Sequence, residues 1–413
     1  MATQEQDVAP PRWGWRRRWG GIAEHPRAVI YLLVGSTASL LALGLIMVWS
    51  SSAILSIGRS GDSWNLVSKQ ALFALGGVTV LFVLARMRLS TLQTLSGPLM
   101  LITIALLVLV LIPGIGVEVG GQRNWISLGG PFRLQPSEFA KVAFIVWSAG
   151  ILASRHRLVT DWKTLLMPVL PVGTLIMGLI VLEGDFGNAM IIGVIMAGLL
   201  YFAGAPLRFF AGMGAVAAVG TALLVAVAPY RMNRLTAFLN PDADQLDELW
   251  QVTQGMYAFG SGGLFGLGLG ASREKWGSLP EAHTDFIFPV VGEELGLVGT
   301  VTVLLLFGVL IYAMVRIMSM TNDRFIQFLS GGVAVWIMIQ VITNIGASLK
   351  LLPLTGVTLP FLSYGGSSML TVLAGVGIVL AAAKAAVGPP RRSTRRARPS
   401  HRQAEPAPAT GGR

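Results

Sequence analysis

Ten apolar runs of about membrane-spanning length limit what this sequence can fold into. A helix needs about 20 mostly apolar residues to cross the core of a bilayer. Only 12% of the 413 residues are charged, which is about half the share that is usual in soluble domains. The sequence therefore predicts an all-α integral membrane protein with ten transmembrane helices. The predicted helices cover residues 28–50, 70–85, 97–113, 137–153, 165–182, 186–203, 207–228, 286–313, 325–347 and 360–383.

The distribution of Lys and Arg between these runs sets the predicted orientation. With a cytoplasmic N-terminus, 21 of the 31 basic residues lie inside, nine lie outside and Lys141 lies within a helix. Cytoplasmic loops carry such an excess of positive charge. The predicted topology has both termini in the cytoplasm and segments 51–69, 114–136 and 229–285 outside. The last is a large extracytoplasmic loop between helices 7 and 8, in which residues 245–263 predict an amphipathic helix on the outer surface.

Basic tails flank the predicted membrane domain, which spans residues 28–384. Residues 1–27 and 385–413 are predicted to be cytoplasmic, and the Pro- and Ala-rich composition of the second predicts disorder. Much of the net charge of +11 lies in these tails, where basic residues bind anionic lipid, so nucleic-acid binding is not favoured. The absence of Cys excludes thiolate metal sites, and the four dispersed His argue against a metal site built from His.

One acid, Asp285, stands directly before an apolar run in the stretch SLPEAHTDFIFPVVGEELG (278–296). Partial burial raises a carboxyl pKa toward neutrality, as a general base working near pH 7 requires. The alternative is a helix N-cap shared with Thr284, which the local sequence alone favours by about two to one.

Two further acids, Glu293 and Glu294, fall inside the eighth predicted helix. A charge at the centre of a membrane helix costs about 3 kcal/mol, so at least one is expected to be paired, protonated or next to a polar cavity. A structural hydrogen bond and a functional role are equally compatible with this position. Pro289 and Gly292 predict a kink nearby.

The fourth predicted helix opens with Glu138 and Lys141 on one face. Glu138 suits the helix dipole in the first turn, with Ser137 or its neighbour as cap. Lys141 is disfavoured there, and we expect it to face an outer cavity and bind phosphate. In the preceding loop Arg123 suits phosphate. Trp125 suits stacking on a sugar, although an interfacial anchor is the better interpretation of Trp125 alone.

Small and hydroxyl residues cluster before the last predicted helix, in TLPFLSYGGSSML (358–370). Such residues let helices pack closely, and they can also line a ligand cavity. The motif leaves both interpretations open for Ser363, Tyr364 and Ser367.

Taken together, these motifs resemble those of the SEDS family (shape, elongation, division and sporulation). NWISLGG, LQPSEFAK, GDFG, LPEAHTDFIF with GEELG, and LPFLSYGGSS occur in the family's order over residues 28–384. The sequence motif around Asp285 and the presence of terminal tails resemble the division members of the family more than its elongation members. One departure is EGDFG, which keeps Asp185 and Gly187 of the family's usual QPD-x-G but loses its proline.

The resemblance implies a peptidoglycan glycosyltransferase that polymerises lipid II at the outer face of the bacterial cytoplasmic membrane, at the division septum. It implies a class B penicillin-binding protein (a transpeptidase) and other divisome membrane proteins as partners. It also places the family's essential acid on Asp285, the loop tryptophan on Trp125 and the polar pair on Glu138 and Lys141.

The reaction needs further groups around the substrate. We expect Lys141, Arg123 and Arg234 to stabilise the leaving pyrophosphate. His283, Ser363, Tyr364 and Ser367 are further candidates for substrate binding. A divalent cation such as Mg²⁺ is compatible with a pyrophosphate, but the sequence specifies none.

Three alternatives stay open. An elongation-type polymerase differs only in its cellular role. A transporter of lipid-linked precursors is favoured by Glu293 and Glu294 and opposed by the lack of an internal repeat. A non-catalytic scaffold would recruit partners through its tails.

Overall fold

The computed structural model describes residues 26–127, 129, 133–155, 167–227, 248–276 and 279–387. These residues form eleven α-helices and a three-stranded antiparallel sheet of order β1-β2-β3. The helices are α1 (Pro26–Ser60), α2 (Asn65–Arg86), α3 (Leu89–Leu111), α4 (Pro136–Arg155), α5 (Val169–Leu182), α6 (Phe186–Phe202), α7 (Leu207–Val227), α8 (Glu248–Gly262), α9 (Ile287–Met320), α10 (Arg324–Ser348) and α11 (Gly366–Val387). The strands are β1 (Gly116–Val119), β2 (Gln122–Ser127) and β3 (Arg133–Leu134).

Each of the ten predicted apolar runs falls on a helix. Seven helices, α1 to α4 and α9 to α11, are long and apolar enough to cross a membrane, and α5, α6 and part of α7 form shorter apolar helices. The protein is therefore a helical, multi-pass membrane protein. The bounds differ from the predicted ones at several helix ends. Helices α2 and α3 begin at Asn65 and Leu89 rather than at residues 70 and 97, and α1 and α9 continue to Ser60 and Met320. The last helix begins at Gly366 rather than at residue 360. The backbone of Phe361 has φ of 65°, which is incompatible with a helix there.

Helices α4, α10 and α11 lie at the centre of the bundle and are the most buried of the seven long helices. Helix α2 packs closely on α11 through small residues. A Cβ added to Gly77 would lie 2.5 Å from Leu373, and one added to Gly377 would lie 2.7 Å from the carbonyl oxygen of Leu81. Glycine therefore sets the distance between these two helices, as is common in membrane bundles.

The sheet in segment 114–136 was not predicted from the sequence. Val119 pairs with Gln122 across Gly120 and Gly121, which have φ of 58° and 76°. A two-residue Gly-Gly turn with positive φ angles suits a tight β-hairpin. The amide of Arg123 in β2 donates to the carbonyl of Glu183 at 3.1 Å, so the sheet rests on the turn between α5 and α6.

The amphipathic helix predicted at 245–263 is present as α8. It packs against α9 so closely that a Cβ on Gly262 would lie 2.0 Å from the carbonyl oxygen of Gly292. The chain after α8 (residues 263–275, the Gly-rich segment) returns toward α9 and contacts it again. Residues 229–247 of the large loop lie outside the described part of the chain.

Helix α9 is interrupted at Gly296, where φ is 68° and ψ is −163°. The sequence placed the kink near Pro289 and Gly292, about one turn too early. The Gly-rich segment fills the interruption with four backbone hydrogen bonds. The amides of Leu267 and Gly268 donate to the carbonyls of Glu293 and Glu294, and the amides of Leu297 and Val298 donate to the carbonyls of Gly263 and Leu264.

These four bonds explain why an interrupted helix is stable among apolar neighbours. A backbone amide or carbonyl without a partner costs several kcal/mol in hydrocarbon. The Gly-rich segment supplies the partners that the helix cannot supply itself. It approaches closely enough only because Gly266 lacks a side chain, since a Cβ there would lie 2.2 Å from the carbonyl oxygen of Glu294.

We expect Gly296→Ala to destabilise the protein by about 2 kcal/mol or more, because its φ and ψ lie in a region used almost only by glycine. An added Cβ would also lie 2.4 Å from the amide nitrogen of Gly266. Thermal unfolding in detergent measures the effect. Gly308→Ala, also in α9 and with no atom within 4 Å of its added Cβ, is the control. Equal midpoints for the two variants would contradict the role of the interruption.

Candidate active site

Three consecutive carbonyls before α9 are held by α10 and by the segment that joins α10 to α11 (residues 349–365, the connector). The carbonyl of His283 accepts from the amide of Tyr364 at 2.8 Å, that of Thr284 from Ser363 Oγ at 2.6 Å, and that of Asp285 from Asn344 Nδ2 at 2.9 Å. Three adjacent anchors fix the backbone of this segment, and with it the position from which the Asp285 side chain extends.

Asp285 is half-buried and directly precedes the buried Phe286. Helix α9 begins at Ile287 with Phe286 in the N-cap position and no side-chain cap bond. The Thr284 hydroxyl bonds to Glu281 instead. Thr284 therefore does not share in capping α9. A Cβ on Gly356 of the connector would lie 3.8 Å from Asp285 Oδ2, so the connector passes close to the carboxylate.

His283, Ser363 and Tyr364 lie around this acid. The rings of His283 and Tyr364 are 5.7 Å apart between centroids. Burial raises the pKa of the Tyr364 phenol above its usual value, so it stays neutral at physiological pH. Ser363 is 4% exposed and its hydroxyl also accepts from the amide of Leu359 at 2.8 Å. Ser363 therefore braces the connector as well as the segment before α9.

A second polar cluster surrounds Asp185, the N-cap of α6. Asp185 Oδ1 accepts from the amide of Asn188 at 3.0 Å. Its Oδ2 accepts from Gln135 Nε2 at 2.9 Å, Ser137 Oγ at 3.1 Å and Asn188 Nδ2 at 2.9 Å. The Ser137 hydroxyl thus bonds across to α6, and the expectation that it caps α4 is not met.

The third element is a buried ion pair. Lys141 is fully buried, and its Nζ lies 2.7 Å from Glu138 Oε1 and 3.0 Å from Asn188 Oδ1. It also lies 5.4 Å from the centre of the Trp336 ring. The expectation that Lys141 faces an outer cavity is therefore wrong for this structure. Its charge is neutralised by Glu138, whose Oε2 accepts from Thr371 at 3.2 Å.

Hydrogen bonds join these three elements at one end of the bundle. Ser367 Oγ accepts from the amide of Gln135 at 3.0 Å, which links the starts of α11 and α4. A Cβ on Gly187 would lie 2.5 Å from the carbonyl oxygen of Thr355, so the start of α6 touches the connector beside Gly356. The first turns of α4, α6, α9 and α11 thus meet at what we call the Asp285 end.

Glu293 and Glu294 lie away from this cluster and hold the Gly-rich segment in place. Both are fully buried. Glu293 accepts from the Ser272 hydroxyl and from the amide of Arg273 at 2.8 Å. Glu294 accepts from Ser50 Oγ of α1 at 2.6 Å and pairs with Lys275 Nζ at 2.9 Å. Of the two interpretations left open by the sequence, these contacts favour the structural one.

The sheet carries the remaining candidates. Arg123 is partly exposed, and its guanidinium lies 3.5 Å from Glu118 across the hairpin. Trp125 is half-buried in β2, opposite Val117. None of the contacts described for Arg123 or Trp125 reaches Asp285. Arg234 lies outside the described residues.

Three polar residues in this region were missed by the sequence analysis. Asn344 holds the carbonyls of Asp285 and Val357, and Gln340 joins Trp336 to the carbonyl of Thr358. Both lie inside an apolar helix, one turn apart, and polar residues in that setting are a signal of function. Glu183 was also missed, although it stands beside the Asp185 motif.

Within the described ranges, no group of three or more His, Asp or Glu side chains is placed to hold a metal ion. Asp285 contributes a single carboxylate, and Asp185 is saturated by hydrogen bonds. A Mg²⁺ ion bound mainly by substrate phosphates and one carboxylate would need no such group. The residues described do not identify a metal site.

Glu183 is a buried carboxyl in the turn between α5 and α6. It is 2% exposed, and neither carboxyl oxygen has a hydrogen-bond partner among the described residues. Burial, and secondly the negative charge of Asp185, raise the pKa of Glu183 to about 9. Glu183 is therefore protonated at neutral pH, which removes the cost of an unpaired buried charge.

We expect Glu183 to make the protein less stable as pH rises. Above a pH of about 4.5 the unfolded chain gains stability by ionising Glu183, while the folded protein keeps it protonated up to about pH 9. The unfolding midpoint of Glu183→Gln relative to wild type should therefore increase steadily from pH 5 to pH 9. Glu118→Gln, which removes an exposed carboxylate from β1, is the control. A difference that does not vary with pH would contradict the raised pKa.

Comparison with known proteins identifies the family. The model of the FtsW/RodA/SpoVE family, described as cell cycle protein, matches residues 31–387. The chain is 40% identical over 369 residues to the probable peptidoglycan glycosyltransferase FtsW of Mycobacterium tuberculosis, covering 89% of this chain and 70% of that protein. It is 42% identical over 353 residues to the stage V sporulation protein E of Bacillus subtilis, covering 84% and 95%.

A solved structure supports the same assignment. It comes from work on the structural coordination of polymerization and crosslinking by a peptidoglycan synthase complex, and one of its chains superposes with a TM-score of 0.68 at 29% identity. The match covers 85% of this chain and 96% of that one. The resemblance to the SEDS proteins, and to their division members first, is thereby confirmed, and the chain belongs to the FtsW/RodA/SpoVE family of cell cycle proteins.

Proposed function

We propose that this protein is a peptidoglycan glycosyltransferase that polymerises lipid II into glycan strands during septal cell-wall synthesis. Its FtsW relatives are named as probable peptidoglycan glycosyltransferases, and the family model covers nearly the whole membrane part. The observation that carries the chemical part is the half-buried carboxylate of Asp285, held on an anchored backbone at the start of an apolar helix.

The proposed reaction is a single displacement at a sugar carbon. A hydroxyl of the acceptor sugar attacks C1 of the lipid-linked donor, the bond from C1 to the pyrophosphate oxygen breaks, and the undecaprenyl pyrophosphate leaves. Asp285 takes the proton of the attacking hydroxyl. Its surroundings suit a general base, because apolar residues on one side and substrate on the other exclude water. Such a displacement inverts the configuration at C1.

The buried polar clusters act as positioning elements in this proposal. Lys141, fully buried and paired with Glu138, does not reach the leaving pyrophosphate as the side chains are arranged. It fixes α4 against α6 and α10, and thereby the groove beside Asp285. Ser367 joins α11 to α4 in the same way.

Cations for the pyrophosphate come from the sheet and the large loop in this proposal. Arg123 is the candidate in β2, where it is partly exposed, and Arg234 is the candidate in the loop. Trp125 would stack on a sugar ring from the same strand, and His283 and Tyr364 would contact the substrate beside Asp285.

We further propose ten membrane crossings with both termini in the cytoplasm and the Asp285 end outside. Each predicted crossing has its helix, and the short helices α5 and α6 are joined by a tight turn at residues 183–185. Residues 1–27 and 385–413 are the proposed cytoplasmic tails around a membrane domain at 28–384. The substrate is delivered on the outer face in this arrangement.

A class B penicillin-binding protein is the proposed partner, because the structural relative was solved as part of a peptidoglycan synthase complex. Septal rather than sidewall synthesis is favoured by the FtsW relatives. A transporter is less favoured, because Glu293 and Glu294, which suggested it, are occupied in holding the Gly-rich segment.

Replacing Asp285 by Asn tests the proposed chemistry. We expect loss of at least about 100-fold in polymerisation of purified lipid II, since general-base catalysis contributes about 10²–10⁴-fold. The measurement is the rate of glycan formation in detergent with the partner present. Asp62→Asn, which removes an exposed carboxylate between α1 and α2, should leave the rate unchanged. A folded Asp285→Asn variant with full activity would exclude Asp285 as the base.

Labelling of single cysteines tests the proposed topology, and the natural chain contains no Cys to interfere. Asp62→Cys lies at the Asp285 end and Asn322→Cys lies in the turn between α9 and α10, and both positions are exposed. The measurement uses cells with an intact cytoplasmic membrane, from which any outer membrane has been removed. A membrane-impermeant maleimide should label Asp62→Cys and not Asn322→Cys. Permeabilised cells, in which both should react, are the control. The reverse pattern would invert the orientation.

A further inference from the structure

A cavity of about 1010 Å³ lies at the end of the bundle opposite to Asp285. It is a half-open cavity between the end of α2, the start of α3, the last turns of α4 and α11, and the turn between α9 and α10. None of the groups proposed for glycosyl transfer lines it. Ligand cavities in proteins commonly have volumes of about 300–1,000 Å³, so this one is large enough for an organic ligand.

Four cations and one carboxylate line this cavity. The cations are Arg86, Arg88, Arg324 and Lys384, and the carboxylate is Asp323. Asp323 is already used as the N-cap of α10, where it accepts from the amide of Phe325 at 2.9 Å. Arg86, Arg88 and Lys384 form no ion pair with the described residues. Among the described residues, the cavity therefore carries an excess of positive charge over its single carboxylate.

The start of α3 adds to this positive field. Leu89 and Ser90, the first two residues of the helix, line the cavity. The N-cap residue Arg88 makes no side-chain cap bond, so the first amides of α3 receive no partner from it. The N-terminus of a helix attracts anions through these amides and the helix dipole. Helix and side chains thus favour the same kind of ligand, an anion.

The other walls of the cavity combine apolar residues with the uncharged polar residues Gln93, Ser154 and Thr321. Phe325 and Ile326 on the first turn of α10, with Ala153 and Ala381, lie beside the charged groups. The cavity also sits where several membrane helices end, which is the level of the lipid headgroups. An apolar wall contributes little to the binding of a soluble anion. An amphiphile with an anionic head can contact both the charged and the apolar surface of the cavity.

We propose that this cavity binds the phosphate headgroup of an anionic glycerophospholipid, with the upper part of the acyl chains against the apolar wall. The site is separate from the basic tails, for which anionic lipid is expected from the sequence. It joins α2, α3, α4, α10 and α11 around one ligand. The inference does not depend on the glycosyltransferase activity, because it uses only the opposite end of the bundle.

Native mass spectrometry of the full-length protein in detergent tests this site. The protein is titrated with phosphatidylglycerol and, separately, with phosphatidylcholine of the same acyl chains. We expect wild type to retain phosphatidylglycerol at lower lipid concentration. The double variant Arg86→Gln/Lys384→Gln should bind phosphatidylglycerol about tenfold more weakly or worse, since each basic residue near a lipid surface contributes about 1 kcal/mol, or about fivefold in affinity.

The matched control is Arg27→Gln/Arg208→Gln. Both of these residues are exposed at the first turns of α1 and α7, at the same end of the bundle, and neither lines the cavity. The two double variants have the same net charge. Arg88→Gln, a single change at an exposed residue, is the second test variant if the first double variant unfolds early in detergent.

Three results would overturn the proposal. Equal retention of the two lipids by wild type would remove the preference for an anionic headgroup. Equal weakening in the control variant would reduce the effect to overall charge. Inorganic phosphate that displaces phosphatidylglycerol at comparable concentration would show that the acyl chains contribute nothing, and would assign the site to a soluble phosphate compound.

Discussion

The buried ion pair between Lys141 and Glu138 is the interaction on which the Asp285 end depends. An isolated charge in an apolar interior is unfavourable by several kcal/mol, so neither residue is tolerable without the other. Around the pair, Asn188 and Thr371 use the remaining hydrogen-bonding capacity, and they belong to α6 and α11. The pair therefore fixes three helices at once, and the polar cluster of Asp185 and the connector pack on the frame that it defines.

The same rule of polar saturation governs the backbone. Helix α9 gives up its own hydrogen bonds at Gly296, and the Gly-rich segment after α8 replaces them. The three carbonyls before α9 are likewise matched by donors from α10 and the connector. Asp285 is held between these two regions, so its position is set by backbone contacts on both sides. A base so placed needs little rearrangement to meet its substrate, which is how preorganised groups contribute to catalysis.

Much of this architecture was predictable from the sequence, because apolar runs of sufficient length have few alternatives to helices. The amphipathic helix α8 followed from its periodicity, and the motifs led to the family. The hairpin could have been found from its Gly-Gly turn. The burial of Lys141 could not be predicted, because the local sequence is the same whether this lysine faces a cavity or packs against Trp336. Likewise, no local pattern says that a segment some thirty residues earlier will fill the interruption at Gly296.

The order of synthesis gives that interruption a further consequence. The Gly-rich segment leaves the ribosome before α9, so the donors and acceptors that complete α9 already exist when its two halves enter the membrane. The hydrogen-bond partners of α9 at Gly296 are therefore synthesised before α9 itself. The opposite order, with α9 translated before the Gly-rich segment, would expose unpaired amides and carbonyls to hydrocarbon during biogenesis.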